Sequence, residues 1–168
     1  MAHHECEDGA AGPGLLRARL VSWFSTTVAV ERDGQPWGEL RHNFWRDRGV
    51  IAVAGEELTV RAEGFLRERF LLCRGQEVVA RAHRRRPFCF GYRLEHGGRR
   101  WSLRPAGWFS WGFKVGAGEM EAEAGWIRPA RFFSWTAVAR LPDGMPPAVQ
   151  AFSLWLTFVM WRRRAAAS

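Results

Sequence analysis

The sequence predicts a mainly β fold, a single β-barrel around a buried hydrophobic C-terminal α-helix. Apolar and polar residues alternate with a period of two through most of the chain, as they do in strands with one buried face. Glycine-rich turn signals recur between these segments, a spacing that is typical of a sandwich or a barrel. The last apolar run is instead apolar nearly all round, and such a helix must be enclosed by other structure or by lipid.

The first fourteen residues differ from the rest of the chain. Residues 1–14 are polar, acidic and rich in small side chains, so we expect a disordered leader ahead of a single domain at 15–164. The leader contains side chains that can bind metal, namely His3, His4, Glu5, Cys6, Glu7 and Asp8. Adjacent ligands on a flexible segment do not form a preorganised site, and we predict no metal site and no cofactor.

About eleven strands are expected between residues 19 and 141. Val28 and Val30 share one face ahead of Asp33-Gly34, a dipeptide typical of a hairpin turn. The longest alternations place aromatic and aliphatic side chains on buried faces: Phe88, Phe90, Tyr92 and Leu94 in one strand, and Phe109, Trp111, Phe113 and Val115 in another.

A loose internal repeat runs through the predicted strands. Gly34, Gly75 and Gly118 each lead a similar segment that is followed by phenylalanine, and these glycines lie 41 and 43 residues apart. That period is also the length of a propeller blade. Three units are too few for a propeller, and a terminal buried helix has no place in one, so repeated hairpins around a barrel are favoured.

The C-terminal helix is predicted to span about 146–162, with residues 165–168 as a tail. Pro146-Pro147 suit a first helical turn, where a missing N–H costs nothing. The fourteen residues from Ala148 to Trp161 are mostly apolar, with a thin polar stripe at Gln150, Ser153 and Thr157. This run is shorter than the roughly 20 residues needed to cross a bilayer. Membrane attachment through the helix is the alternative to its burial.

Repeated glycine-led hairpins followed by a hydrophobic helix at Ala148–Trp161 resemble the tubby C-terminal-like superfamily, which includes the LURP-one-related proteins and the phospholipid scramblases. The resemblance implies a closed antiparallel barrel of about a dozen strands threaded by the helix. It also implies phosphoinositide binding through basic residues on the barrel, although no individual position can be aligned. The acidic calcium-binding stretch and the cysteine-rich palmitoylation segment of scramblases have no counterpart here, so scramblase activity is not expected.

The chain is strongly basic, with a formal net charge of +8. Arginine carries almost all of this charge, because Lys114 is the one lysine among 25 basic residues. A basic surface can meet nucleic acid, anionic lipid or acidic proteins. The same excess also arises from a GC-rich genome without any binding function, and the sequence alone does not separate the two explanations.

The densest basic segment predicts an anion-binding surface on the barrel. If 77–83, 88–95 and 99–104 are consecutive antiparallel strands, their arginines share one patch, and guanidinium groups bind phosphate in a bidentate fashion. The candidate ligand-binding residues are Arg81, Arg84, Arg85, Arg86, Arg93, Arg99 and Arg100. We therefore expect a non-enzymatic binding module for an anionic membrane lipid, a phosphate-bearing ligand or an acidic protein partner. Outward arginines that only contact solvent are the alternative.

Other function classes find less support in the sequence. No P-loop, G-x-S-x-G or H-x-x-x-H pattern is present, so no catalytic residue is assigned, although a small enzyme that uses the barrel mouth stays open as an alternative. Trp37, Trp108 and Phe44-Trp45 could stack on single-stranded nucleic acid. No known nucleic-acid-binding motif accompanies them, so nucleic acid is not favoured as a partner.

Cysteine content and the N-terminus bear on location. The three cysteines form no paired framework, and Cys73 and Cys89 lie in apolar strand patterns where we expect buried thiols. No basic-then-apolar segment marks a secretory signal. These features predict a cytoplasmic protein, peripheral to a membrane if it binds lipid.

Overall fold

Twelve strands and one helix make up the part of the chain that the structure describes. The computed structural model describes residues 14–21, 26–43, 48–64, 68–85, 90–131 and 134–167. Its elements are β1 (Leu15–Leu20), β2 (Thr27–Arg32), β3 (Gln35–Asn43), β4 (Arg48–Val53), β5 (Glu56–Glu63), β6 (Arg69–Arg74), β7 (Glu77–Arg84), β8 (Tyr92–His96), β9 (Arg99–Pro105), β10 (Phe113–Ala117), β11 (Ala122–Pro129), β12 (Thr136–Arg140) and α1 (Pro147–Ala166).

The strands close into one antiparallel barrel. Each strand pairs with its neighbours in the chain, and β1 pairs with both β2 and β12, so the described strands leave no open edge. This closure confirms the predicted fold class. The expected count of strands from residue 19 onward is one too low, because β1 begins at Leu15, where Leu16 and Ala18 already face the core.

The two ends of the barrel differ. At one end, here called the turn end, short hairpin turns at 33–34, 54–55, 75–76 and 97–98 connect successive strands. The opposite end, here called the loop end, is where six strands finish, at Leu20, Asn43, Glu63, Arg84, Pro105 and Pro129. Because β12 finishes at the turn end, α1 enters the barrel there and ends at the loop end.

Backbone conformations at the turn end fit the residues found there. Asp33-Gly34, Ala54-Gly55 and Gly97-Gly98 each have two successive positive φ angles, the geometry of a two-residue hairpin turn whose twist matches that of the strands. The repeated glycines Gly34, Gly75 and Gly118 belong to the β2–β3, β6–β7 and β10–β11 hairpins, and each of these hairpins contains a β-bulge. The loose sequence repeat therefore corresponds to a four-strand unit that occurs three times around the barrel.

The helix α1 lies inside the barrel. Thirteen consecutive residues, from Val149 to Trp161, are buried, and Phe152, Leu154 and Trp155 each expose at most 1% of their surface. This burial leaves no apolar face of the helix for lipid, which argues against the alternative of a membrane tail. Within the described residues, no helix combines the length and apolarity required to cross a membrane.

The helix also runs further than predicted. It ends at Ala166 and not near residue 162, so Ala165 and Ala166 belong to the helix and not to a tail. Arginine and alanine are good helix formers. Arg163 and Arg164 lie in the last turn, where positive charge interacts favourably with the helix dipole.

The polar stripe of α1 is buried together with its apolar residues. The hydroxyl of Ser153 donates to the carbonyl of Val149 at 2.9 Å, and that of Thr157 donates to the carbonyl of Ser153 at 2.9 Å. The amide oxygen of Gln150 accepts a hydrogen bond from Arg32 of β2. Because each polar side chain has a partner, this side of the helix can be buried without a large desolvation cost.

Two strands begin later than the sequence alternation indicates. β8 begins at Tyr92, and Phe90 ahead of it is 38% exposed. β10 begins at Phe113, and Phe109 is 83% exposed. In the second case residues 107–110 form a turn closed by a 3.2 Å backbone hydrogen bond between its first and last residues, which removes this segment from the sheet.

The cysteine prediction is confirmed for one residue. Cys73 is a free thiol in β6 with 2% of its surface exposed. Cys6, Phe88 and Cys89 lie outside the described residues, as does almost all of the predicted leader, residues 1–13.

Candidate functional site

The arginines of the predicted anion-binding surface lie on three neighbouring strands. β7, β8 and β9 are consecutive and antiparallel, as the prediction requires. In their register Arg81 lies opposite Glu95, and Glu95 lies opposite Arg100, so one carboxylate separates two guanidinium groups across three strands. Arg93 is exposed on this face as well, whereas the exposed Arg99 has the opposite parity on β9 and its guanidinium lies over the ring of Trp101.

Glu121, in the turn between β10 and β11, is at the centre of the densest charge cluster. Its carboxylate oxygens lie 2.9 Å from Nη2 of Arg85 and 3.2 Å from Nη2 of Arg93. Nε of Arg104 is 3.9 Å away. Only 14% of the Glu121 side chain is exposed, and its φ of 50° is in the left-handed region that residues other than glycine seldom adopt. The turn thus places the carboxylate of Glu121 among three guanidinium groups.

A second cluster lies closer to the turn end. Arg100 is 3.5 Å from Glu95, through Nε, and 3.5 Å from Glu119, through Nη1. Half of the Arg100 side chain and 87% of the Glu119 side chain are exposed, so these contacts compete with water. Ion pairs therefore accompany several of the predicted arginines, and an anionic ligand would have to bind beside or in place of carboxylates.

The predicted residues form a stripe along the barrel wall. Arg84 and Arg85 lie where β7 finishes at the loop end, whereas Arg99 and Arg100 begin β9 at the turn end. Arg86 lies outside the described residues. The strand order brings Arg81, Arg93 and Arg100 onto one outer face, and Arg85 joins them through Glu121. Arg84 instead lies opposite the buried Tyr92, and Arg99 stacks over the buried Trp101. The described arginines are therefore distributed along the length of the barrel rather than around a single pocket.

The loop end carries four of the five large apolar side chains that are exposed in the described residues. Trp108 is 89% exposed, Phe109 83%, Val21 57% and Phe90 38%, and all four lie in connections at this end. Met120, at 95% exposure, lies in a turn at the other end. Exposed apolar side chains that share one end of a soluble fold are typical of an interaction surface.

The three arginines at the end of α1 lie at the same end of the barrel. Each donates a hydrogen bond to a different part of the wall: Arg162 to Nδ1 of His42 on β3 at 2.9 Å, Arg163 to the hydroxyl of Tyr92 on β8 at 3.2 Å, and Arg164 to the carbonyl of Ser110 before β10 at 2.7 Å. These bonds fix the helix end in the barrel mouth. Arg162–Arg164 together with Val21, Phe90, Trp108 and Phe109 are here called the loop-end patch.

The sequence analysis did not identify the loop-end patch, although a signal for it is present. Aromatic or large apolar residues recur in every connection that follows an odd-numbered strand: Trp23-Phe24, Phe44-Trp45, Phe65-Leu66, Phe88, Trp108-Phe109 and Phe132-Phe133. Among these, Trp108-Phe109 lies in the described part of the chain. The recurrence is visible in the sequence, but the fact that these connections begin at one end of a barrel requires the strand order.

An exposed ion pair at the turn end perturbs the ionisation of both its members. Nε and Nη2 of Arg74 donate to the two carboxylate oxygens of Glu56 at 2.8 and 2.9 Å. This hydrogen bonding, and then the positive charge of Arg74, lowers the pKa of Glu56, and the same contact raises the pKa of Arg74.

Within the described residues, no group of three or more His, Cys, Asp or Glu side chains could hold a metal ion.

Comparisons with known proteins support the fold. No protein-family model matches the chain, and no curated protein matches it. Among solved structures, the X-ray structure of a protein from Arabidopsis thaliana is similar, with a TM-score of 0.58 and 15% sequence identity over 91% of this chain and 93% of that chain. Identity this low is informative about the fold alone. The chain therefore shares the fold of that plant protein over nearly its whole length.

Proposed function

We propose that the protein is a non-enzymatic module that binds anionic lipid at a membrane surface, with the loop-end patch facing the bilayer. The observation that carries the proposal is the concentration of exposed aromatic side chains and helix-terminal arginines at one end of the barrel. Aromatic rings suit the boundary between water and lipid, because they bury apolar surface among the head groups. Guanidinium groups at the same depth bind lipid phosphate.

The arginine stripe on β7–β9 extends the basic surface away from the patch. Arg84 and Arg85 are its members at the loop end, and they would meet head groups first. A basic residue near an anionic bilayer contributes about 1 kcal/mol to binding. The other described members, Arg81, Arg93, Arg99 and Arg100, lie further along the wall and are weaker candidates for the same ligand.

We also propose that the chain belongs to the tubby C-terminal-like superfamily, close to the LURP-one-related proteins. The support is the closed twelve-stranded barrel, the helix enclosed by it and the shared fold with the Arabidopsis protein. On this proposal the protein is cytoplasmic and peripheral to the membrane. Its ligand would then be a lipid on the cytoplasmic leaflet, where anionic head groups are concentrated.

Sedimentation of the full chain with vesicles tests the proposed function. We expect binding to vesicles of phosphatidylcholine and phosphatidylserine and none to vesicles of phosphatidylcholine alone. Added salt should weaken the binding, because exposed charges are screened over roughly 10 Å at 0.1 M. Absence of binding to the anionic vesicles, or binding that is equal for both compositions, would reject the proposal.

Two double variants test which surface faces the bilayer. Trp108→Ala with Phe109→Ala removes the most exposed aromatic rings, and Arg84→Glu with Arg85→Glu reverses the charge at the end of the stripe. Each should weaken binding about tenfold or more. Met120→Ala is the matched control, because it removes an equally exposed apolar side chain at the turn end and should leave binding unchanged. If the aromatic variant binds as wild type does, the orientation is wrong.

A further inference from the structure

A half-open apolar cavity lies at the loop end, between α1 and the barrel wall. Its volume is about 300 Å³, at the lower limit of the roughly 300–1,000 Å³ that is usual for small-molecule sites. Val28, Leu40, Trp135 and Phe158 are among its walls. Apolar walls of this kind suit a hydrocarbon chain rather than a polar metabolite.

The position of the helix explains the cavity. α1 packs closest to β3 and β4, where Gly49 leaves room for the indole ring of Trp155. Nearer the loop end, space is left beside Val159, and residues at the ends of β1, β2 and β3 border it: Leu20, Thr26, Val28, Leu40 and His42. The cavity therefore lies between the loop-end half of α1 and these three strands.

One edge of this apolar cavity is positively charged. Arg162 and His42 both line it, and Nη1 of Arg162 lies 2.9 Å from Nδ1 of His42. Arginine has no acceptor, so Arg162 donates this bond and the neutral imidazole carries its hydrogen on Nε2. The charge at the edge thus favours an anionic group on the ligand.

We propose that this cavity binds a single-chain amphiphile with an anionic head group, a fatty carboxylate in the simplest case. The chain lies between α1 and the wall, and the carboxylate lies against the guanidinium of Arg162, which can bind it in a bidentate fashion. Neutral and cationic head groups lack this interaction. The site shares Arg162 with the loop-end patch, but it binds a free amphiphile without a bilayer, so its test in solution can fail or succeed separately from the vesicle test.

Calorimetric titration of the full chain with three ten-carbon probes tests the site. Decanoate, decanol and decyltrimethylammonium share one chain length and differ in head-group charge. The two ionic probes are used below the concentration at which they form micelles, and decanol is used below its solubility limit. We expect one-to-one binding of decanoate, about tenfold or more tighter than that of decanol, with the cation weakest. Methyl resonances of Leu20, Val28 and Leu40 should shift with decanoate. Equal affinity for the three probes, no detectable decanoate binding, or shifts confined to other methyl groups would overturn the proposal.

Neighbouring arginines provide a matched pair of variants. Arg162→Gln should weaken decanoate binding about tenfold and leave decanol binding within about twofold. Arg163→Gln, one residue along the same helix and bonded to Tyr92, should change neither. Val28→Phe places a larger side chain in the cavity from β2 and should weaken the binding of all three probes. Decanoate binding that is unaffected by Arg162→Gln in a folded variant contradicts the proposal. If that variant does not fold, the titration of the wild type with the three probes still tests the proposal.

Discussion

Gly49 of β4 lies directly against the indole ring of Trp155 of α1. A Cβ added at Gly49 would meet Nε1 of Trp155, and it would lie 2.7 Å from Cε2 of that ring and 2.7 Å from the carbonyl oxygen of Arg41. The same carbonyl accepts a hydrogen bond from Nε1 of Trp155 at 3.2 Å. A residue without a side chain is therefore what allows the fully buried indole ring of Trp155 to reach the barrel wall and satisfy its N–H group.

Substitution of Gly49 by alanine should destabilise the fold by about 1–3 kcal/mol, the usual cost of overpacking a core. The new methyl group can be accommodated only if the indole ring or the β3 backbone moves. Urea unfolding of both proteins measures the difference. Gly107→Ala is the control, because an added Cβ there meets no atom closer than 3.7 Å, and its effect should stay within about 0.5 kcal/mol. Equal midpoints for the two variants would contradict this account of Gly49.

Removal of the helix should abolish cooperative folding. Deletion of residues 146–168 takes away the buried side chains around which the barrel closes, including Phe152, Leu154 and Trp155. Large apolar residues of this kind contribute roughly 1.5–3 kcal/mol each when fully buried. Thermal unfolding followed by circular dichroism should show no sigmoidal transition for this deletion. Deletion of residues 165–168, most of which are exposed, should leave the transition in place. A folded protein without the helix would show that the barrel has an independent core.

Local pattern predicted the strands, their hairpins and the enclosed helix, and the family resemblance implied that the strands close into a barrel. Period-two alternation and hairpin glycines are set by neighbouring residues, so they can be read without knowledge of the fold. The spacing of Gly34, Gly75 and Gly118 even reflects the four-strand unit, because each glycine belongs to a hairpin with a bulge. The all-round apolarity of α1 indicated enclosure for the same reason.

The loop-end patch depends on information that no local pattern carries. Phe109 and Trp111 continue the alternation of β10 but precede it, because the turn at 107–110 interrupts the ladder. Alternation alone cannot show that Phe109 is 83% exposed. Glu121 and Arg85 are likewise distant in sequence. They meet because the turn between β10 and β11 lies near the end of β7 in the folded barrel. The strand register thus decides which charged side chains pair on the barrel wall, and a local sequence pattern does not give that register.

The pKa of Glu56 should depend on Arg74. In the wild type the hydrogen bonds from Arg74, and then its positive charge, hold this pKa below the ordinary value for glutamate. Arg74→Gln should raise it toward that value, as measured by carboxyl carbon NMR over a pH titration. Arg41→Gln is the control, because Arg41 pairs with the adjacent Glu57 and should leave the titration of Glu56 unchanged.

The sign of the stability effect follows from the direction of this shift. A carboxyl group whose pKa is lower in the folded state stabilises the fold above its unfolded-state pKa, and that contribution is lost as pH falls through the folded-state pKa. The wild type should therefore lose more stability on acidification than Arg74→Gln does. Parallel pH profiles of the unfolding midpoint in the two proteins would show that the pair contributes nothing.

Glu121→Gln should weaken the fold while strengthening anion binding. The substitution keeps the size of the side chain and the positive φ of the backbone, but it removes the charge and replaces one acceptor oxygen by an NH2 donor. Arg85, Arg93 and Arg104 would then face one another without the carboxylate that lies between them, and we expect a loss of about 1 kcal/mol in the free energy of unfolding. With one negative charge fewer beside the arginine stripe on β7–β9, affinity for anionic vesicles should rise roughly fivefold.

Glu123→Gln separates the effect of this cluster from that of net charge. It removes the same charge from the protein, but Glu123 pairs at 3.0 Å with the exposed Lys114 and with none of the three arginines around Glu121. We expect a stability change within about 0.5 kcal/mol and a smaller gain in vesicle binding than for Glu121→Gln. Identical gains in the two variants would mean that vesicles respond to total charge. In that case the arginines around Glu121 are held by the carboxylate for structural reasons and do not contact lipid.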